Sequence, residues 1–166
     1  LTPAFNVRSV DPAATAEAAA VCADHGAILE VNAHCRQPEM CDADAGETLL
    51  RDEERLREQV AAASDAGATV SAKVRAEVPG VDLPRLSRAL VDSGADALHI
   101  DAMDSEPIVT EVVSAAPEAF VIANNGVRDR RSAHEYLEYG ADAVSVGRLS
   151  DDPAVLKRVQ AAVDGW

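Results

Sequence analysis

Six short apolar runs, each followed by a stretch of helical composition, constrain this chain more than any other feature of its sequence. The runs are "AFNV" (4–7), "AILEVNA" (27–33), "TVSAKVR" (69–75), "ALHI" (97–100), "FVIAN" (120–124) and "AVSVG" (143–147). Between them lie "DPAATAEAAAVCADHGA", "LLRDEERLREQVAAASDAGA" and "DLPRLSRALVDSGADA". Asp11 followed by Pro12 reads as an N-cap with a first-turn proline. "DAGA", "SGADA" and "YGADA" each put a glycine where a helix should stop before the next strand. Strand and helix in strict alternation imply an α/β fold with a parallel sheet, either doubly wound or closed into a (β/α)8 TIM barrel.

Two features favour the barrel. The first strand-to-helix turn lacks a glycine-rich dinucleotide fingerprint, and polar residues gather at the carboxyl ends of several different strands, where barrel active sites are built. A complete barrel has eight units in about 250 residues. Six are visible in 166 residues, and the chain opens on Leu1. The expectation is a single TIM-barrel domain over 1–166 that lacks about two N-terminal units.

Charge narrows the range of functions. Asp and Glu outnumber Lys and Arg by 29 to 15, a net charge of −14, and Lys73 and Lys157 are the only lysines. The acids are spread along the chain and read as a solvated surface. Such self-repulsion is tolerated where salt screens it, which points to a halophilic cytoplasm, with an ordinary acidic protein as the alternative. No basic stripe of a nucleic-acid binder is present. No apolar run approaches the roughly 18 residues of a membrane helix, and no signal-like segment opens the chain. Three unevenly spaced cysteines do not make a disulfide framework, so a reducing, cytoplasmic compartment is expected. A homo-oligomer is compatible with all of this.

Candidate chemistry sits at the strand ends. The last two strand-to-helix loops read "ANNGVRD" (123–129) and "SVGRLSD" (145–151). In many barrels these loops hold a phosphate through backbone N–H groups, and Asn125, Gly126, Gly147 and Arg148 could do so here; alternatively, both glycines only make turns. Lys73 lies inside a strand, where an ammonium is costly unless it meets an anion or a polar cavity, or snorkels to solvent. The second run breaks into "VNAHCRQPEMC" (31–41), with Asn32, His34, Cys35, Arg36 and Cys41 at one strand mouth. His34, Cys35 and Cys41 lack the spacing and the fourth ligand of a zinc site, so no metal is expected. Cys22, in an alanine-rich helix, reads as core. Glu30 points the same way as Asn32 and so toward the barrel interior, while His134 and Tyr136 read as surface or packing residues.

In order and spacing these segments resemble the FMN-binding barrel of the tRNA-dihydrouridine synthases and their relatives, the dihydropyrimidine and dihydroorotate dehydrogenases. "FNVRSVDPAATAEAAAV" is similar to the family's third strand and following helix. "VNAHC" is similar to its Asn-x-Gly-Cys-Pro segment and "VSAKVR" to its Val-Thr-Val-Lys-hydrophobic-Arg strand. "ANNGVRD" with "GADAVSVGR" resembles its closing phosphate grip. The resemblance implies FMN as cofactor, contacted by Asn6, Asn32, Lys73, Asn125, Gly126, Gly147 and Arg148. It implies Cys35 as a proton donor complementing hydride transfer, with His34 and Arg36 as cationic neighbours of its thiol, and Lys73 facing the flavin edge that gains negative charge on reduction.

The departures are specific. The family's Gly-Cys-Pro becomes His34-Cys35-Arg36. Its later His-x-Arg element becomes Asp101 and Met103, with His99 on the same side of the strand as Asp101. The chain reaches Trp166 about one helix after its last strand, without the appended RNA-binding domain of the tRNA synthases. Together with the acidity, this directs the expectation to a small substrate, with nucleic acid unlikely.

The leading expectation is an FMN-dependent oxidoreductase acting on a CH–CH group of a pyrimidine-like or other conjugated small molecule, with Asn32, His99 and Asp101 near the substrate. The alternatives are a flavin- or phosphate-binding barrel without redox catalysis, and a Schiff-base or phosphate-sugar barrel enzyme using Lys73.

Overall fold

The computed structural model describes residues 1–166. Its strands are β1 (Ala4–Val7), β2 (Ile28–Asn32), β3 (Thr69–Arg75), β4 (Ala97–Asp101), β5 (Phe120–Asn124) and β6 (Ala143–Ser145). Each falls on one of the six apolar runs, with ends that differ by no more than two residues. The helices are α1 (Pro12–Asp24), the short α2 (Pro38–Cys41), α3 (Glu53–Asp65), α4 (Leu83–Asp92), α5 (Ile108–Ala115), α6 (Arg130–Glu138) and α7 (Pro153–Val163). Gly46–Arg51 and Arg148–Asp151 form 3₁₀ turns.

The six strands form one sheet in the order β1-β2-β3-β4-β5-β6, every neighbouring pair parallel. A doubly wound sheet reverses its strand order at a switch point; a barrel does not. The order therefore decides between the two folds: the chain is six successive units of a (β/α)8 barrel. Helix packs on helix around the outside, α1 on α3, α3 on α4, α4 on α5 and α6 on α7.

Side chains alternate between the two faces of each strand. Leu29 and Val31, Val70, Ala72 and Val74, Leu98 and Ile100, and Val121 and Ala123 are buried in the core between sheet and helices. Fully burying a valine, leucine or isoleucine is worth about 1.5–3 kcal/mol, so this face holds the arc together. The opposite face is polar. Asn6, Glu30 and Asn32, Ser71 and Lys73, His99 and Asp101, and Asn124 lie on it, with Ala97 and Ile122 among them, whereas barrel interiors are usually filled with branched apolar side chains.

Part of the acidity is structural. Asp11, Asp52, Asp82, Asp129 and Asp152 each cap a helix, accepting a backbone N–H from Ala13, Arg55, Arg85, Ser132 and Ala154. Such a cap is worth about 1 kcal/mol. The repeated "GADA" also has a use: Asp96 accepts the N–H of Val70 and Asp142 that of Val121, both at 2.8 Å. Each aspartate thereby satisfies the amino end of the strand before it.

Candidate active site at the carboxyl ends of the strands

The loops after β2, β3, β4, β5 and β6 all leave the sheet at one end. A cleft of about 480 Å³ opens there, lined by His34, Lys73, Asp101, Asn124, Asn125, Gly126, Val127, Gly147, Arg148 and Leu149. Small-molecule sites span about 300–1,000 Å³. Six residues expected from the sequence meet in this one space: Lys73, Asp101, Asn125, Gly126, Gly147 and Arg148.

One wall presents backbone and cations to the cleft. Asn125 and Gly126 have φ of 109° and 68°, a left-handed turn that presents backbone rather than side chain. The Tyr136 hydroxyl, from α6, pins that turn by donating to the carbonyls of Asn125 at 3.0 Å and Asn124 at 3.3 Å. Burial, with the nearby carboxylates of Glu106 and Asp101, pushes the Tyr136 pKa up, so the hydroxyl keeps its proton. Across the cleft, a Cβ added to Gly147 would meet no atom within 4 Å, which leaves its backbone open to a ligand. Arg148 follows, and Lys73 reaches in from β3 without a hydrogen bond or ion pair inside the chain. The Asn124 side-chain oxygen is buried and unpartnered. Two cations, open backbone and an unmet acceptor suit the phosphate and polar ring edge of a nucleotide-like cofactor.

Below the cleft lies a connected network. Asn32 donates to Asn6 at 2.7 Å, and Asn6 donates to Glu30 at 2.8 Å. Ser71 donates to Glu30 at 3.2 Å, and His99 Nδ1 lies 2.7 Å from the same carboxylate oxygen. Burial alone would raise the Glu30 pKa. Hydrogen bonds from His99 and Asn6 and the charges of His99 and Lys73 outweigh it and leave Glu30 at about 2. Glu30 is therefore an ionised acceptor, which places the His99 proton on Nδ1. Its Nε2 is buried without a partner. Asn6, Asn32 and His99 thus belong to a layer beneath the cleft lining. Glu30, the hub of this layer, had only its inward direction to announce it in the sequence.

Asn32 also shapes the loop above it, its side-chain oxygen accepting the N–H groups of His34 at 3.1 Å and Cys35 at 2.9 Å. This turns His34 into the cleft and Cys35 away from it. The His34 ring sets Nε2 3.4 Å from Asp101 Oδ2. Burial raises the Asp101 pKa, but hydrogen bonds from His34 and the Met103 N–H, with the His34 and Arg75 charges, bring it below the usual carboxylate value. Cys35 is 7% exposed, outside the cleft lining, and its thiol donates to the Gln37 side-chain oxygen at 3.4 Å. The expected cationic neighbours are not on the thiol: His34 engages Asp101 and Arg36 is exposed. The Cys35 backbone is locked as well. Its carbonyl accepts the N–H of Glu47, and Glu47 pairs with the buried Arg75 at 2.9 Å.

Comparison with known proteins gives these segments a common origin. The dihydrouridine synthase (Dus) family matches residues 3–165. A tRNA-dihydrouridine synthase B of Xanthomonas campestris is 29% identical over 143 residues, covering 79% of this chain and 43% of the relative. An uncharacterized protein of Methanocaldococcus jannaschii is 30% identical over 145 residues, covering 81% and 54% respectively. The chain thus spans about half the length of these relatives. Among solved structures, a ligand-free DHODH from Eimeria tenella superposes with a TM-score of 0.71 at 14% identity, over 90% of this chain and 54% of that one. A mandelate oxidase with benzaldehyde superposes at 0.69 and 17% identity, over 98% and 58%. These structural likenesses speak to the fold, while the family match runs through every strand and every cleft loop. The chain belongs to the dihydrouridine synthase family.

Proposed function

We propose that the cleft holds FMN and that the protein is an FMN-dependent oxidoreductase acting on a CH–CH group of a small pyrimidine-like or other conjugated molecule. The observation that carries this reading is the convergence of Lys73, Arg148, the Asn125-Gly126 turn and the open backbone of Gly147 on one cleft of about 480 Å³. The names of the relatives, dihydrouridine synthases, support it. When bound, FMN supplies hydride chemistry that no side chain can. The chain's own residues bind and orient. Arg148 and the backbone of Gly126 and Gly147 take the phosphate, as fork and open N–H groups do elsewhere. Lys73 holds a positive charge where negative charge gathers during reduction. Asp101 and His34 occupy the part of the lining left for substrate. The end of β4 and the loop after it carry Asp101, Asp104 and Glu106, so a polyanionic RNA backbone would meet like charge there. A small substrate avoids that repulsion.

The test is the visible spectrum of the purified protein, wild type against Gly147→Asp. The open space at Gly147 predicts that the variant folds normally and that its carboxylate repels the phosphate. Flavin should be present in the wild type and lost from the variant; a variant that keeps its flavin as tightly as the wild type refutes the phosphate site. Flavin that no conjugated substrate reoxidises after reduction would favour a binding protein without redox catalysis. A colourless protein trapped on Lys73 by borohydride with a carbonyl substrate would favour the Schiff-base enzyme.

A further inference from the structure

We propose that Asp101 selects the substrate: its carboxylate takes an N–H donor on the rim of a neutral ring and turns away a ring that carries a carboxylate of its own. The inference deepens the oxidoreductase reading above and rests on it. Asp101 ends β4 and lines the cleft, its side chain 15% exposed. Its position is fixed from the backbone up. Its carbonyl accepts the N–H of Ala76 at 2.9 Å. Met103, in left-handed backbone with φ 54°, folds its own N–H back onto Asp101 Oδ1 at 3.3 Å. On the other side, His34 Nε2 stands 3.4 Å from Oδ2.

The carboxylate is held but not satisfied. Ordinary N–H···O bonds run at about 2.7–3.2 Å, and both of these contacts are longer. An ionised carboxylate accepts at about four positions, of which the chain fills two. Whatever charge the His34 ring carries, the positions left over are acceptors only, so the group that meets them must be a donor. Asp101 is also the only carboxylate in the cleft lining, and the opposite polarity lies on Lys73 and Arg148. Once a cofactor's phosphate and ring edge occupy those two cations, no free cation remains to offset Asp101 against an anionic substrate except the His34 ring already beside it. The sequence departs from the family at the same place. Where the resemblance would put histidine and arginine, two donors, stand Asp101, an acceptor, and Met103. The polarity of this edge of the cleft is reversed.

The experiment uses the full protein with oxidised flavin bound and reads probe binding from the flavin difference spectrum, without turnover. The probes are uracil, 1,3-dimethyluracil, which is the same ring without its N–H donors, and orotate, which is the same ring with a carboxylate. A hydrogen bond to a charged group sets the expected scale, so the wild type should bind uracil about tenfold to a hundredfold more tightly than 1,3-dimethyluracil. It should prefer uracil to orotate by at least about tenfold. Asp101→Ala should remove most of the first preference, and Asp101→Asn, which keeps the shape and drops the charge, should remove most of the second. Both variants should keep their flavin. These ratios compare ligands on one protein, so a merely structural role for Asp101 would leave them unchanged. Unchanged ratios in the variants, or a wild type that binds orotate or 1,3-dimethyluracil as well as uracil, overturn the inference while the flavin reading stands. So does a flavin-loaded wild type that binds none of the three. A wild type that binds no flavin removes the oxidoreductase reading and this inference together.

Discussion

Glu30→Gln tests whether the polar interior is a source of stability or only a tolerated cost. The Glu30 carboxylate accepts from Asn6, Ser71 and His99, and its pKa falls from the ordinary 4.5 to about 2. Because the folded value lies below the unfolded one, the unfolded chain binds the proton more readily. The stabilisation is therefore fully present above pH 4.5 and is lost as pH falls through about 2. At about 1.36 kcal/mol for each tenfold change in proton affinity, that difference is worth about 3 kcal/mol. Glutamine preserves the shape but not the charge, and it leaves His99 without its carboxylate. Breaking a buried pair in this way costs about 3–5 kcal/mol, so the two routes agree on the scale. Against a typical domain stability of about 5–15 kcal/mol, the loss is large. Urea unfolding at constant KCl should show the variant less stable by about 3 kcal/mol at pH 7. The gap should close as pH is lowered from 4.5 toward 2, because acid removes the same charge from the wild type. Equal stability at pH 7, or a gap that persists unchanged in acid, would refute the reasoning.

Gly46 has φ +63°, and a Cβ there would sit 2.4 Å from the Cys35 carbonyl oxygen. Gly46→Ala should thus cost about 2–4 kcal/mol in chemical denaturation, and a cost below about 1 kcal/mol would mean that the β2 loop is not locked as described. Thermal melts across a KCl series should rise by several degrees from millimolar to molar salt, because screening relieves repulsion in a chain of net charge −14; a flat or falling series would leave an acidic protein with no adaptation to salt. A thiol-directed alkylating reagent should label the half-buried Cys41 before Cys35 and Cys22, which are 7% and 4% exposed. Faster labelling of Cys35 would show that its loop opens in solution.

The fold was legible because it rests on local regularities. Each strand is an apolar run with a breaker after it, and α1, α3, α4, α6 and α7 are each announced by an aspartate cap such as Asp11-Pro12. Parallel pairing then follows from alternation alone. That Asn125-Gly126 and Gly147-Arg148 share one cleft was legible for a similar reason: they follow successive strands, and any barrel brings successive strand ends side by side. Lys73 was legible because a lysine in a strand has so few places to go.

What sequence could not decide was which side chains meet across the sheet. Glu30 and His99 are 69 residues apart, on strands that are not neighbours, and their contact depends on the registers of β2 on β3 and β3 on β4 together. The same holds for His34 and Asp101. A slip of one residue in either register would turn one partner to the opposite face. Cys35 shows the converse. Its place after Asn32 invites a catalytic reading, but Asn32 binds two successive N–H groups and rotates the loop, so His34 faces the cleft and the thiol faces Gln37. The alternation of residue types is a property of the chain and dictates a parallel α/β sheet, which the strand order makes part of a barrel. The pairing of charges inside it is a property of three-dimensional register, and only the folded sheet supplies that.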